Sequence, residues 1–286
     1  EIILSDDCST DRTFEIMEEM ARAYEGPHRV VVRRGLKNVG IGPHVTAVAS
    51  IANGAWLALA AGDDISMPHR VTHAMSILAR HRTAHPRAHA SILSTSIEIN
   101  DKGYTNTGHH WSMLDVRPTV ASYKTYRIRD LLRGALTTSG PTRLFPLSLH
   151  SFFGPIASHC FTEDIVLLLR TAMLGAVLYI SAPTVFRRVH GDNMSHPENL
   201  YFRDFRGVKI QLLQDLKVAQ DRGIIDQQTA LAILKWIEAH AAYRRFRRAK
   251  LQGDTPSWRD FFTLMRAPHL SLRRKFGLLR EHLGIR

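Results

Sequence analysis

Residues 54–64, GAWLALAAGDD, run as a short apolar stretch that ends in two adjacent carboxylates, Asp63 and Asp64. The apolar part reads as a strand, and in open α/β sheets ligands bind beyond the carboxyl ends of the strands. Two neighbouring acids there repel one another unless a divalent metal or a cationic ligand offsets the charge. A second pair, Asp6 and Asp7, ends another apolar strand, EIILSDD. Both pairs are expected at one polar cleft. The competing reading of Asp63 and Asp64 is an acidic turn capping the helix that starts near Pro68.

Outward from this stretch, strands and helices alternate. Ser9, Thr10 and Asp11 offer N-caps to a helix with Phe14, Met17, Ala21 and Tyr24 at helical spacing, and Gly26-Pro27 stops it. HRVVVRR is a strand, and VTAVASIAN a small-residue helix ending at Gly54. A helix from Pro68 to about Arg82, a strand over residues 90–99 and a helix over about 128–134 follow, with a loop over 105–127. This order predicts a doubly wound mixed α/β sheet for residues 1–195. Past Ser195 apolar residues recur at helical spacing only (Val208, Leu212, Leu216; Ile233, Trp236, Ile237), so residues 196–286 are expected to form a basic, helical C-terminal appendage.

The 286 residues carry 38 Lys and Arg against 26 Asp and Glu, a formal charge of +12, which suits anionic partners. Two cysteines, Cys8 and Cys160, are too few for a disulfide framework or a zinc–cysteine site, so a reducing cytoplasm is the expected location. No apolar run reaches the roughly 18 residues of a membrane span; the longest, IVLLLRTAMLGAVLYI, is interrupted by Arg170. The basic run YRRFRRAK (Arg244, Arg245, Arg247, Arg248, Lys250) reads either as a solvated helix face or as a contact with an anionic membrane surface at the inner face of the membrane. No nucleic-acid module accompanies it, and no nucleic acid is expected as a partner.

Four blocks, EIILSDDCSTD, NVGIGPHVTAVASIANGAWLALAAGDD, FTEDIVLLLRTAMLGAVLYI and FRRVHGDNMS, resemble in order and spacing the family 2 glycosyltransferases of the GT-A fold, the fold of nucleotide-diphospho-sugar transferases. The resemblance implies transfer of a sugar, with inversion, from a nucleotide-sugar donor to a saccharide or lipid-linked saccharide acceptor in surface polysaccharide or O-chain synthesis. It implies a divalent cation, Mg²⁺ or Mn²⁺, held by Asp64 and completed by His190. Asp63, Asp6, Asp7, Asn38 and Gly40 would meet the nucleotide sugar, and Arg187 or Arg188 the diphosphate. Asp164, preceded by Glu163, would be the general base. For Glu163 and Asp164 the local alternative is a Thr162-capped helix with acids in its first turn, and the two readings are compatible.

The chain departs from the family pattern in four places. Gly62 stands where many relatives have an acid, Cys8 where glycine is common, and Val45 and Thr46 where an Arg-Asn pair is usual. The chain opens at Glu1 on what the resemblance makes the second strand, so the first strand and its nucleotide loop are expected to be missing from the donor site. The loops 105–125 and 136–160 carry no legible code for the sugar. Competing functions are a nucleotidyltransferase of related fold, which would need a Gly-rich basic loop, and a catalytically inactive scaffold at a membrane assembly.

Overall fold

The structure, a computed structural model, describes residues 1–286 apart from 87, 115, 117–121, 135–139, 192, 194, 195, 269 and 284–286, and only the backbone of 197 and 198. Strand β1 (Ile2–Asp6) is joined by helix α1 (Thr13–Arg22) to β2 (Val30–Arg34), which lies parallel to it, so Asp6 and Arg34 end at the same edge. Ser9 and Thr10 do not cap α1. Asp11 Oδ1 accepts from the Thr13 amide at 2.9 Å, while Ser9 is drawn back to Asp6. Helix α2 (Ile41–Ile51) starts four residues before the expected Val45 and ends before extended Ala52, short of Gly54. The early start has a cause: the Asp7 carboxylate accepts from the Val39 and Gly40 amides (3.1 and 2.8 Å), stabilising the chain that leads into the helix.

Strand β3 (Trp56–Ala58) is shorter than the sequence predicts, ending five residues before Asp63. The acids lie instead in the turn before β4 (Ile65–Ser66), where the Asp64 amide donates to Ala61 O at 3.3 Å. Arg70, the first residue of α3 (Arg70–Ala84), holds both sides of that turn, donating to Leu59 O and, at 2.8 Å, to Ser66 Oγ.

After these come β5 (His89–Ile99), β6 (Tyr123–Tyr126), α4 (Ile128–Leu131), β7 (Arg143–Pro146), α5 (Ser148–Phe153), α6 (Asp164–Leu174) and β8 (Gly175–Arg188). Among the described residues the strands form two ladders: the parallel β1–β2 pair and a mixed sheet in the order β3-β7-β5-β8-β4, with β6 also on β8. Only β5 and β8 run parallel in the mixed sheet, and both deliver their carboxyl ends, Ile99 and Arg188, to one edge. The two ladders are joined through α2, whose Thr46 Oγ1 accepts from the Ile156 amide at 3.0 Å.

Alternation along the strands divides the core. Ile92, Leu144 and Leu178 face α3 through Ile77 and Leu78, whereas Leu93, Phe145 and Val177 join the cluster of α6. Val166, Leu167, Leu168 and Leu169 are at most 1% exposed, an all-round burial that needs a cover on both sides of α6. That cover comes from α8 (Arg206–Asp221) and α9 (Gln227–Leu251), whose Val208, Leu212, Ile233 and Trp236 share the cluster of α6, while α7 (Pro197–Phe202) packs on α9 and α10 (Trp258–Met265) and α11 (Leu272–Leu283) close a separate cluster with the end of α9. The core therefore continues across residue 195. Arg170, the interruption in the apolar run, is itself fully buried and paired with Asp215 of α8 through bonds of 2.7 and 2.9 Å.

The basic run of α9 does not form one face. Arg244 turns inward, Arg245 is bidentate to Asp260 of α10, and Arg247 pairs with Glu281 of α11 at 3.0 Å.

Candidate active site

A cleft of about 1040 Å³ opens between the carboxyl edge of the mixed sheet, the start of α6 and the C-terminal helices. Asp63, Asp64, Glu163, Asp164, Arg187 and Arg188 all line it, although more than 120 residues separate the first from the last. Asp64 is fixed by the end of β8: its Oδ1 accepts from the Arg188 amide at 2.9 Å, and the Arg188 guanidinium donates to Asp63 O at 3.1 Å. Burial, and then the neighbouring Asp63 charge, raise the Asp64 carboxyl above its ordinary range, the Arg188 amide working against them. A cation at this turn would relieve that repulsion. Arg70 beneath it is brought down to about 10 by burial, with Asp64 partly restoring it.

His190 reaches the same turn, its Nε2 3.1 Å from Asp63 Oδ2, and Asn193 Nδ2 donates to that oxygen at 3.3 Å. The loop is self-consistent, since Asn193 Oδ1 accepts from the His190 amide at 2.6 Å. Arg187 pairs with Glu98 on β5. Among the described residues no three His, Cys, Asp or Glu side chains converge as a closed metal cage.

Glu163 and Asp164 face the cleft from the start of α6. No side chain caps this helix in the expected Thr162 manner; Glu163 occupies the capping position, with helical backbone. Burial, reinforced by the adjacent Asp164, pushes the Glu163 carboxyl well above the usual carboxylate range. Asp164 Oδ1 is buried and has no hydrogen-bond partner. Gly140 makes the room: a Cβ there would stand 2.8 Å from Asp164 Oδ1 and 3.1 Å from Glu163 Oε1.

Sequence reading missed Arg143, which is 1% exposed and lies behind the pair. It donates to Asp164 O, while its Nε and one terminal nitrogen are buried without partners. Its charge is opposed by burial and supported by Asp164 and Glu163. The available signal was an arginine inside an otherwise apolar strand, RLFP. The C-terminal wall of the cleft, with Tyr201, Tyr243, Arg244 and Arg274, was also not anticipated as part of the site.

Asp6, Asp7, Asn38 and Gly40 gather in a second cluster at the end of β1. Asp6 accepts from the Ser9 amide at 3.0 Å and lies 3.5 Å from Arg34, whereas Asp7 is occupied by the Val39 and Gly40 amides; Asn38 is exposed. Gly40 has φ 81°, a conformation glycine adopts freely, and Cys8 adopts φ 64° without that freedom. His44 connects the clusters, since it lines the cleft and lies 3.4 Å from Asp7. Of the loops expected to set sugar choice, 115, 117–121 and 136–139 lie outside the described residues.

The family model described as Glycosyl transferase family 2 matches residues 1–142. An 82-residue stretch is 37% identical to the uncharacterized protein Rv1520 of Mycobacterium tuberculosis (strain ATCC 25618 / H37Rv), covering 28% of this chain and 23% of that protein. A 102-residue stretch is 29% identical to EpsE of Bacillus subtilis (strain 168), whose name places it provisionally among glycosyltransferases, covering 36% of this chain and 34% of that one. The chain thus spans about a quarter to a third of the length of these relatives. Among solved structures, the mannosyltransferase PcManGT from Pyrobaculum calidifontis, in complex with GDP-Man and Mn²⁺, is similar over 100% of this chain and 77% of that one, with a TM-score of 0.51 at 14% identity, a likeness of fold.

Proposed function

Since this chain belongs to glycosyl transferase family 2 and has the GT-A fold, we propose that it transfers a sugar from a nucleotide-sugar donor to an acceptor hydroxyl with inversion at the anomeric carbon. The observation that carries the reading is the meeting of Asp63-Asp64 and Glu163-Asp164 in one cleft. A single displacement needs a base on one face of the sugar and charge neutralisation of the diphosphate on the other. Asp164 is the base: it lines the cleft, no hydrogen bond occupies its Oδ1, and its place at the first turn of α6 aims it rigidly. Burial and the adjacent Asp164 push the Glu163 carboxyl upward, which favours its neutral form beside the base.

Asp64 and His190, the latter 3.1 Å from Asp63 Oδ2, would hold a divalent ion such as Mg²⁺ or Mn²⁺, since an ion shared with phosphate needs only one or two protein carboxylates. When bound, the ion would act as a Lewis acid on the phosphate oxygens. Arg188, already braced against Asp63 O, and Arg187 supply further positive charge for the diphosphate. Asp6, Asp7, Asn38 and Gly40 serve the nucleotide end through the His44 side of the cleft. The acceptor is a saccharide or lipid-linked saccharide of surface polysaccharide synthesis, met at the cytoplasmic face of the membrane; no described helix is long and apolar enough to cross it.

The test is nucleotide-sugar hydrolysis by the protein with and without Mn²⁺, over UDP-, GDP- and dTDP-sugars. Cation-dependent turnover with at least one donor, abolished by Asp64→Ala, is expected. Turnover that keeps its cation dependence in Asp64→Ala would remove the assignment of the metal and, with it, the orientation of the donor.

A further inference from the structure

The far wall of the cleft differs in chemistry from the acidic end. It is built from α7, α9 and α11, and among the described residues its lining includes no acid: Tyr201, Arg203, His240, Tyr243, Arg244 and Arg274 supply the polar groups. Arg244 is set among Phe161, Tyr201 and Phe205, with ring centres 5.2, 5.7 and 5.1 Å from its guanidinium carbon. It spends one donor on Leu200 O, and its Nε is buried without a partner. Arg274, from a different helix, donates to Tyr243 Oη at 3.3 Å and lies over that ring at 5.2 Å. Among the described residues no carboxylate pairs with Arg203, Arg244 or Arg274, although Arg245 and Arg247 on the same helix as Arg244 both have acidic partners.

Burying a guanidinium without a counter-charge is unfavourable, and a fixed fork of unused donors matches the oxygens of a phosphate or carboxylate. Aromatic faces beside it suit the apolar face of a sugar ring. We infer that this wall is the acceptor subsite and that it recognises a saccharide carrying an anionic group, a phosphate or a carboxylate, gripped by Arg244 and Arg274. The inference rests on the glycosyltransferase reading for the word acceptor, but the site itself is defined by side chains outside the acid pairs. A grip on the anion at this wall leaves the neutral hydroxyls of the saccharide to point along the cleft toward Asp164.

Binding to the whole protein is measured by ligand-observed NMR titration with glucose 6-phosphate, glucuronic acid and glucose. The two anionic sugars are expected to bind at least about tenfold more tightly than glucose, a margin that one charge-assisted contact supplies. That margin should fall severalfold in Arg244→Gln and, separately, in Arg274→Gln, whose exposed position keeps folding out of the question. Equal binding of the three sugars, or an anionic preference untouched in both variants, overturns the inference. A donor-diphosphate site at the same arginines is distinguished by adding saturating UDP or GDP with Mn²⁺: simultaneous binding of the anionic sugar supports an acceptor subsite, and displacement overturns it. Failure of the donor reading would appear instead as no nucleotide binding at all, while the sugar preference and its loss in the variants would still decide the subsite.

Discussion

Replacing Asp215 by alanine probes how the C-terminal helices hold the site. Asp215 is 1% exposed and Arg170 fully buried, and the carboxylate accepts from Arg170 at 2.7 and 2.9 Å and from Gln211 Nε2 at 2.9 Å. Gln211 in turn accepts from the Ala157 amide at 2.8 Å, and Arg170 also donates to Gly154 O at 2.9 Å. In Asp215→Ala the guanidinium keeps one of its three bonds and loses its counter-charge, a loss of about 3–5 kcal/mol for a pair broken from one side. At roughly 2–3 °C per kcal/mol for a chain of this size, the midpoint should fall by roughly 10 °C. Urea unfolding followed by circular dichroism, with a thermal scan beside it, measures this. The double variant Arg170→Met/Asp215→Leu, which removes both charges, should recover most of the loss. A destabilisation under about 1 kcal/mol in Asp215→Ala, or a double variant as unstable as the single, would refute the view that an unpaired buried cation is the source.

Asp164→Asn should lower kcat by about 10²- to 10⁴-fold with the donor KM nearly unchanged, as removal of a general base does; a loss confined to donor KM would make the acid a binding group. Cys8→Gly should stabilise the fold by about 0.5–1 kcal/mol, because the left-handed backbone at φ 64° costs about 1–2 kcal/mol and glycine returns part of that as chain entropy; a lower denaturation midpoint would show that the thiol contributes contacts worth more than the strain. Burial, and then Arg170, bring His150 from 6.5 down to about 4 in the fold. The unfolded chain therefore takes up this proton at a higher pH than the native one. The stability this group supports is complete above pH 6.5, declines as the pH falls and is lost below about 4, a total of about 3 kcal/mol. His150→Phe should flatten that part of the pH–stability curve, and an unchanged slope would assign it to other groups.

The meeting of the charged residues in one cleft was legible because they flank apolar runs. Asp63, Asp64, Glu163, Asp164 and the Arg187-Arg188 pair each follow or precede an apolar run, and the topology brings them to one cleft. What was not legible depends on long-range contacts. The end of β3 at Ala58 follows from Arg70 seizing Leu59 O from below, a contact that no local pattern announces. Helix α2 begins early because Asp7, more than thirty residues away, holds the Val39 and Gly40 amides. Arg170, read as an interruption of an apolar run, and Arg143, not singled out at all, are both buried cations whose partners come from elsewhere in the chain. The basic run of α9 read as a single charged surface, yet at 3.6 residues per turn its side chains must diverge: one enters the cleft and two find acids on neighbouring helices.

The position of α6 makes the two walls of the cleft dependent on each other. Its first turn carries Glu163 and Asp164, its middle is covered by Val208, Leu212 and Ile233 of α8 and α9, and its Arg170 is tied to α8. Helix α9 is the element that presents Tyr243 and Arg244 to the cleft. A displacement of α8 and α9 would therefore shift Glu163, Asp164 and the cationic wall together, whereas Asp64, held by Arg188 and flanked by Arg70, belongs to the sheet edge and would stay. On this account Asp215→Ala should impair transfer to an acceptor more than acceptor-independent, cation-dependent donor hydrolysis at a temperature where both proteins remain folded. Equal loss of the two activities would mean that the acid pair and the metal turn move as one body, and that the ion pair serves stability alone.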